Sequence, residues 1–278
     1  RHKKEYAKKL EELEKQKKFD EQTVDFGSSK TKKIDGNYKF KPKNPFFWLY
    51  SGLIRSLAFI FAPIVNFFAF NVKIVGRKNL KKIKKCGAIA ISNHVHSLDN
   101  LAIRQALFSR KIYLTGAGTN AKKGLMGITL KAGGFLPLEG TFSAQKTFAK
   151  VSTEILNKKK IILFYPERGM WVRYEKPRPF KKGAFYYAAN NNVPILPIFI
   201  TWKERVGIKK ITRINKRMQV NILEPIFPKT DLDEKENLQY LKAISLQKFV
   251  DTYNEFYKKD MKIEELVEID SNEKTETT

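Results

Sequence analysis

The chain has one cysteine, Cys86, and three histidines in 278 residues. A single cysteine excludes a disulfide framework and suits a reducing compartment. Three histidines, one of them at position 2, are too few for a metal site built from several imidazoles. No P-loop is present, no complete G-x-G-x-x-G follows a strand, and no Gly-x-Ser-x-Gly elbow occurs. Nucleotide cradling and serine-nucleophile chemistry therefore have no sequence support. Internal repeats are also lacking, and the charged N-terminus carries no apolar h-region before a cleavage site, so no secretory signal is expected.

Negative charge is scarce too. The 54 Lys and Arg outnumber the 28 Asp and Glu, for a net charge of +26. The imbalance is uneven, because residues 231–278 hold seven Lys against thirteen Asp or Glu and leave +32 on residues 1–230. Such an excess implies an anionic partner: nucleic acid, anionic lipid or a phosphorylated substrate. No RNP1, KH or zinc-finger motif accompanies it, so a basic nucleic-acid-binding protein is the weaker reading.

Residues 1–45 are basic and poor in apolar residues. Lys3 to Lys18 reads as a solvated helix, and Phe26 to Asn44 as a linker, together a basic tail or an electrostatic membrane tether. Residues 46–70 change abruptly to 25 mostly apolar residues. That length spans a bilayer, but Arg55 stands near its middle and Pro63 suggests two shorter helices. A monotopic, in-plane anchor is favoured over a transmembrane span or buried core helices. Trp48 and Tyr50 suit the membrane interface, and Lys39, Lys41 and Lys43 suit an anionic surface.

From Asn71 the pattern alternates. Strands are expected at 71–75, 88–92, 112–115, 161–165, 193–200 and 218–223, with a short strand after Gly133-Gly134. Helices are expected after His94 and at 124–130, 142–156, 183–190 and 232–268, with 271–278 a polar tail. This predicts an α/β fold: a single mostly parallel, mixed sheet covered by helices on both faces and preceded by an apolar helical membrane anchor. The domain itself is expected over 71–270. Pro194 and Pro197 demote parts of the 193–200 strand to an edge or bulge.

The stretch Ala88-Ile89-Ala90-Ile91-Ser92-Asn93-His94-Val95-His96-Ser97-Leu98-Asp99 organises the chain. A buried strand ends in a polar tip and runs into a helix, which is how open α/β sheets present reactive side chains. With Asp99 in the first helical turn, its carboxylate can fold back to His94 and hold one ring nitrogen, freeing the other to take a proton from an alcohol. The plainer alternative is a strand-end His that caps the next helix. Glu167 and Arg168 end the 161–165 strand in the same fashion. Arg173, Lys176, Arg178, Lys181 and Lys182 follow in a proline-broken loop that reads equally as solvated surface or as an anion site.

Four blocks in order resemble the lysophosphatidic acid and glycerolphosphate acyltransferase family. Asn93-His94-Val95-His96-Ser97-Leu98-Asp99 is similar to its N-H-x-x-x-x-D block, and Gly134-Phe135-Leu136-Pro137-Leu138-Glu139-Gly140 stands where G-F-I-P-V-D-R belongs. Tyr165-Pro166-Glu167-Arg168-Gly169 resembles F-P-E-G-T-R, and Val193-Pro194-Ile195-Leu196-Pro197 resembles V-P-I-V-P. The likeness runs from residue 46 to about 225. It implies His94 as general base and Asp99 as the residue that orients it. Glu167 would bind acceptor hydroxyls or order the site, with His96 a helix-start residue. The acceptor would be a lysophospholipid, 1-acylglycerol-3-phosphate, converted to phosphatidic acid. The acyl donor would be an acyl-CoA, an acyl carrier protein thioester or an acyl phosphate, with no cofactor, no metal and no nucleic acid. The implied location is the cytoplasmic face of the cell membrane, peripheral or monotopic. The alternative within the family is a different lysolipid acceptor.

Two departures bear on that acceptor. The family's phosphate-binding Arg aligns with Gly140, and its G-T-R becomes Arg168-Gly169-Met170. Arg168 first, then Arg173 and Lys182 farther along the loop, are expected to replace the lost phosphate contact, and Gly169 beside Arg168 is a further candidate substrate-binding residue. A metal hydrolase of the H-x-H-x-D-H type is excluded as a match, because Asp99 stands one place late and no His follows it.

Overall fold

The computed structural model describes residues 2–24, 31–138, 140–204 and 216–266. Its elements, in chain order, are α1 (His2–Lys15), α2 (Pro45–Phe70), β1 (Lys73–Val75), β2 (Ala88–Ser92), α3 (Asp99–Ala106), β3 (Ile112–Gly116), α4 (Gly124–Ala132) and β4 (Phe135–Pro137). There follow α5 (Phe142–Asn157), β5 (Ile161–Phe164), α6 (Gly183–Asn190), β6 (Ile195–Glu204), β7 (Lys216–Ile222) and α7 (Glu234–Tyr257). The seven strands form one sheet in the order β1-β7-β6-β2-β5-β3-β4, parallel throughout except for the β6–β7 pair. The mixed, mostly parallel sheet predicted from the alternating pattern is the one observed.

Central strands β2 and β5 are buried along their whole length because helices cover both faces. Successive residues divide between two cores. Ile89 and Ile91 join Phe148, Phe185 and Phe249 from α5, α6 and α7, whereas Ala88 and Ala90 join Ile103 and Leu107 on the α3 side. The chain end of β2, where His94 stands, therefore emerges from the middle of the sheet.

Three local expectations need correction. First, β6 is neither edge nor bulge: it lies between β2 and β7. Pro194 precedes the strand and only accepts, from Ile89 N–H. The Pro197 carbonyl accepts from Leu223 N–H, so its missing N–H falls on the β7 side, one residue before that ladder begins at Ile198↔Ile222. Second, α2 is one helix and not two, despite Pro63. Proline deletes one helical hydrogen bond, and the apolar flanks on either side continue to pack against α3 and α4. Asn44 caps the start, donated to by Phe46 N–H, and Asn71 ends the helix in the left-handed conformation at φ 46°.

Third, α1 is not a freely solvated helix. Leu10 and Leu13 are buried with Phe19 against Trp171 of the domain. Farther along, Ile34, Tyr38 and Phe40 enter the main core. The 271–278 tail, residues 25–30 of the linker and Glu139 lie outside the described residues.

Candidate active site

The loop that leaves β2 turns back over the first turn of α3. His94 Nδ1 meets Asp99 Oδ2 at 2.8 Å. The same oxygen accepts from Val95 N–H at 3.1 Å and His96 N–H at 3.3 Å, while Oδ1 accepts from the Tyr165 hydroxyl at 2.5 Å. Asp99 is fully buried and its carboxylate has four partners, so it is held in one pose. The His94 side chain keeps 20% of its surface. Its ring stacks on Tyr165 with centroids 4.1 Å apart. With Nδ1 bound to a carboxylate, Nε2 is left without a protein partner among the described residues.

Tyr165 is the residue missed in the sequence. Burial first, and then Asp99, push its phenol well above the ordinary tyrosine range, so it stays protonated and donates to Asp99. The only signal was a tyrosine where the resembling block carries phenylalanine. The His96 side chain, unlike its backbone N–H, is not bonded to the dyad. Its Nδ1 accepts from Leu98 N–H at 3.1 Å, its ring lies edge-on to Phe70, and burial lowers its pKa, so it is a neutral helix-start residue. Asn93 ties the end of β2 to β6 by a pair of bonds to the Ile200 backbone, at 2.9 and 2.8 Å.

Glu167 stands behind this tip and is closed to an external ligand. Its Oε2 accepts from Arg178 Nη2 at 2.7 Å and Nε at 3.0 Å, its Oε1 from Arg178 N–H at 3.1 Å, and the carboxylate also accepts from the His94 backbone N–H. Both side chains are 1% exposed. Burial raises the Glu167 carboxyl pKa, and Arg178 with the backbone donors opposes that. Arg178 goes on to Gly169 O at 2.7 Å and Phe19 O at 2.8 Å, with its guanidinium over Trp171. The basic loop is therefore not solvated throughout: Arg178, Phe180 and Trp171 are interior residues. Neither expectation for the basic loop, solvated surface or anion site, fits Arg178, whose partner Glu167 lies eleven positions back in the sequence.

The other expected substrate residues divide. Arg173 N–H donates to Val95 O at 2.9 Å, which brings its backbone to the His94 loop, and its guanidinium lies over Trp202. Arg168, at φ 67°, is exposed and pairs with Asp20 at 3.4 Å. Gly169 lies against the backbone carbonyls of Asp20 and Glu21, with no room for a Cβ. Lys182 is an exposed N-cap of α6. Neither Arg168 nor Lys182 makes a contact with the dyad. At Gly140, φ is 146° and an added Cβ would stand 2.6 Å from Ile34 O. The position of the missing arginine is occupied by the N-terminal segment. Among the described residues, no three His, Cys, Asp or Glu side chains gather as a metal site would require.

The sequence signature of the Acyltransferase family matches residues 71–201, which contain the dyad and all four blocks. Over those residues the chain is similar to an acyltransferase domain. The chain is 31% identical to the 1-acyl-sn-glycerol-3-phosphate acyltransferase of Saccharomyces cerevisiae over 166 residues, covering 56% of this chain and 52% of that protein. It is 25% identical to the human 1-acyl-sn-glycerol-3-phosphate acyltransferase beta over 168 residues, 58% of this chain and 57% of the relative. Its matches thus span about half the length of these relatives. The fold is also that of the Thermotoga maritima 1-acyl-sn-glycerophosphate (LPA) acyltransferase PlsC. That structure superposes with a TM-score of 0.54 at 18% identity and covers 78% of this chain and 89% of the other.

Proposed function

We propose that this acyltransferase-family chain moves a fatty acyl group from an activated donor to the free glycerol hydroxyl of a lysophospholipid, 1-acylglycerol-3-phosphate being the first acceptor to test. The observation that carries the reading is the His94–Asp99 contact at 2.8 Å, with Nε2 left open. His94 Nε2 takes the proton of the acceptor hydroxyl. The oxygen attacks the acyl carbonyl carbon, giving a tetrahedral oxyanion. That intermediate collapses with loss of thiolate or phosphate, and the imidazolium returns its proton to the leaving group. Asp99 holds the ring and stabilises its charged form. No enzyme nucleophile is needed, since the acceptor supplies one. The donor is an acyl-CoA, an acyl carrier protein thioester or an acyl phosphate.

A membrane location is part of the proposal. Phe46, Leu49, Phe59, Ile60, Phe67 and Phe68 of α2 are exposed, a patch that water disfavours. The helix is long and apolar enough to cross a bilayer. Three of its polar side chains, however, face the protein: Ser51 donates to Ala132 O, Arg55 to Ile112 O, and Asn66 to Gln105. A helix bound along one side to its own domain and apolar on the other favours lying in the interface over spanning it.

The acceptor phosphate is assigned to Arg168, whose exposed guanidinium has only a loose pair with Asp20. The deciding assay uses purified protein, a panel of lysolipids and the three donor classes. His94→Ala should be inactive with the fold intact, Asp99→Asn should lose about 10⁴ in turnover by analogy with serine triads, and His96→Ala should be mild. An active His94→Ala would end the proposal. Arg168→Ala should raise KM for a phosphorylated lysolipid far more than for a neutral one. Equal rises would return Arg168 to a structural role.

A further inference from the structure

A second cationic cluster lies where α2 crosses the end of α3 and the start of β3. Its cavity measures about 610 Å³ and is lined by Arg55, Arg77, Arg104, Arg110 and Lys111, with no acidic residue in the wall. Among the described residues none of the five has a carboxylate partner. Instead the guanidiniums donate to backbone carbonyls. Arg55 reaches Ile112 O at 2.8 Å, Arg104 reaches Gly133 O at 2.6 Å, Arg77 reaches Gln105 O at 3.1 Å, and Arg110 reaches Ile83 O at 2.7 Å.

The backbone is shaped around these charges. At Gly134, φ 96°, a Cβ would stand 2.2 Å from an Arg55 nitrogen, so the glycine makes room for the guanidinium. Burial and the neighbouring Arg55 pull Arg104 down to about 10, and burial, Arg55, Lys160 and Lys41 pull Lys111 down to about 8. Five positive groups around one cavity repel one another, and no acidic residue in the wall relieves them. An anion in the cavity would. The other wall is apolar, made by Ala58, Phe59, Ala62 and Pro63 of α2. Phe59 also belongs to the exposed face of that helix.

We propose that this cavity binds the phosphate of an anionic glycerophospholipid, with the lipid's acyl chains lying along the exposed face of α2. The phosphate is named by the arginines, and the lipid, as opposed to a soluble phosphate ester, by the apolar wall continuous with α2. Arg104 links the cavity to the catalytic tip, since its charge reaches the Tyr165 phenol, but the proposal does not depend on the acyl-transfer reading.

The test uses full-length protein in neutral detergent, with three probes: dihexanoylphosphatidylglycerol, dihexanoylphosphatidylcholine and glycerol 3-phosphate. Phosphatidylglycerol is chosen because it is neither acceptor nor product. Calorimetry should show saturable binding of phosphatidylglycerol, at least tenfold weaker binding of glycerol 3-phosphate, and none of phosphatidylcholine. Arg77 and Lys111 are exposed rim residues. The pair Arg77→Gln with Lys111→Gln should weaken phosphatidylglycerol at least tenfold with the thermal midpoint unchanged, and Arg77→Lys with Lys111→Arg should restore it. Equal binding by wild type and the Gln pair overturns the site. Equal binding of the two lipids overturns the anion. Glycerol 3-phosphate binding as tightly as phosphatidylglycerol overturns the lipid and assigns the cavity to a soluble phosphate ester.

Discussion

Asp99 carries four hydrogen bonds on two oxygens, and only one of them goes to His94. Three come from within five residues of sequence, which is why the dyad could be read from its spacing. The fourth, from Tyr165, spans 66 positions and could not. Tyr165→Phe keeps the ring stacked on His94 and removes that donor alone. Turnover should fall roughly tenfold, the size of a ~1.4 kcal/mol hydrogen bond, with KM unchanged. A KM change without loss of kcat would move Tyr165 from positioning to substrate contact. Lys111 gives a prediction of the opposite kind, in pH. Its ammonium is held near 8, and a bound anion favours the protonated form. Phosphatidylglycerol affinity should therefore be full below that value and fall as pH rises through about 8, with the fall absent in Lys111→Arg.

At the scale of elements, the Glu167–Arg178 pair joins three segments: the loop after β5, the proline-broken loop before α6, and the chain after α1 through Phe19 O. Because Glu167 also accepts from the His94 backbone, the pair fixes the tip that carries the base. Removing one partner leaves the other charge buried and alone. Arg178→Met should cost about 3–5 kcal/mol, read in denaturant unfolding, and the double change with Glu167→Gln should recover part of it. No recovery would mean that Arg178 acts through the Phe19 and Gly169 carbonyls instead. Such long-range polar closure has no period, so sequence reading saw a charge run where the fold has an interior residue. The strands were legible because burial on two faces leaves unbroken apolar runs. Pro197 misled because a proline's cost depends on which side its nitrogen faces, and only the neighbouring strand decides that. The α1 docking was hidden for a like reason: Leu10 and Leu13 are too few to mark a helix as buried until Trp171 is placed beside them.

For the whole molecule, the question is which side meets the membrane. Read as sequence, Arg55 argues against any deep placement of residues 46–70, since an ionised group in hydrocarbon is costly. The fold answers this by turning Arg55 inward, between Ile112 O and the Tyr113 ring, while Phe59, Ile60, Phe67 and Phe68 point away from the domain. The same helix thus offers a polar edge to the protein and an apolar face to lipid, with the cationic cavity at their border. Replacing Ile60 and Phe68 by Ser removes apolar area without touching the protein side. Binding to neutral vesicles should fall by at least tenfold, on the order of 1.5 kcal/mol or more for each large side chain withdrawn from lipid, at unchanged thermal midpoint. Replacing the exposed Lys39 and Lys43 by Gln should also weaken binding to anionic vesicles, chiefly at low salt, where lysines are least screened, and leaves Ile34, Tyr38 and Phe40 in the core. If the Ser pair binds neutral vesicles as wild type does, α2 is not the membrane face. If labelling finds residues 2–44 and the sheet domain on opposite sides of a sealed vesicle, the helix spans the bilayer and its packing against α3 and α4 must open to allow it.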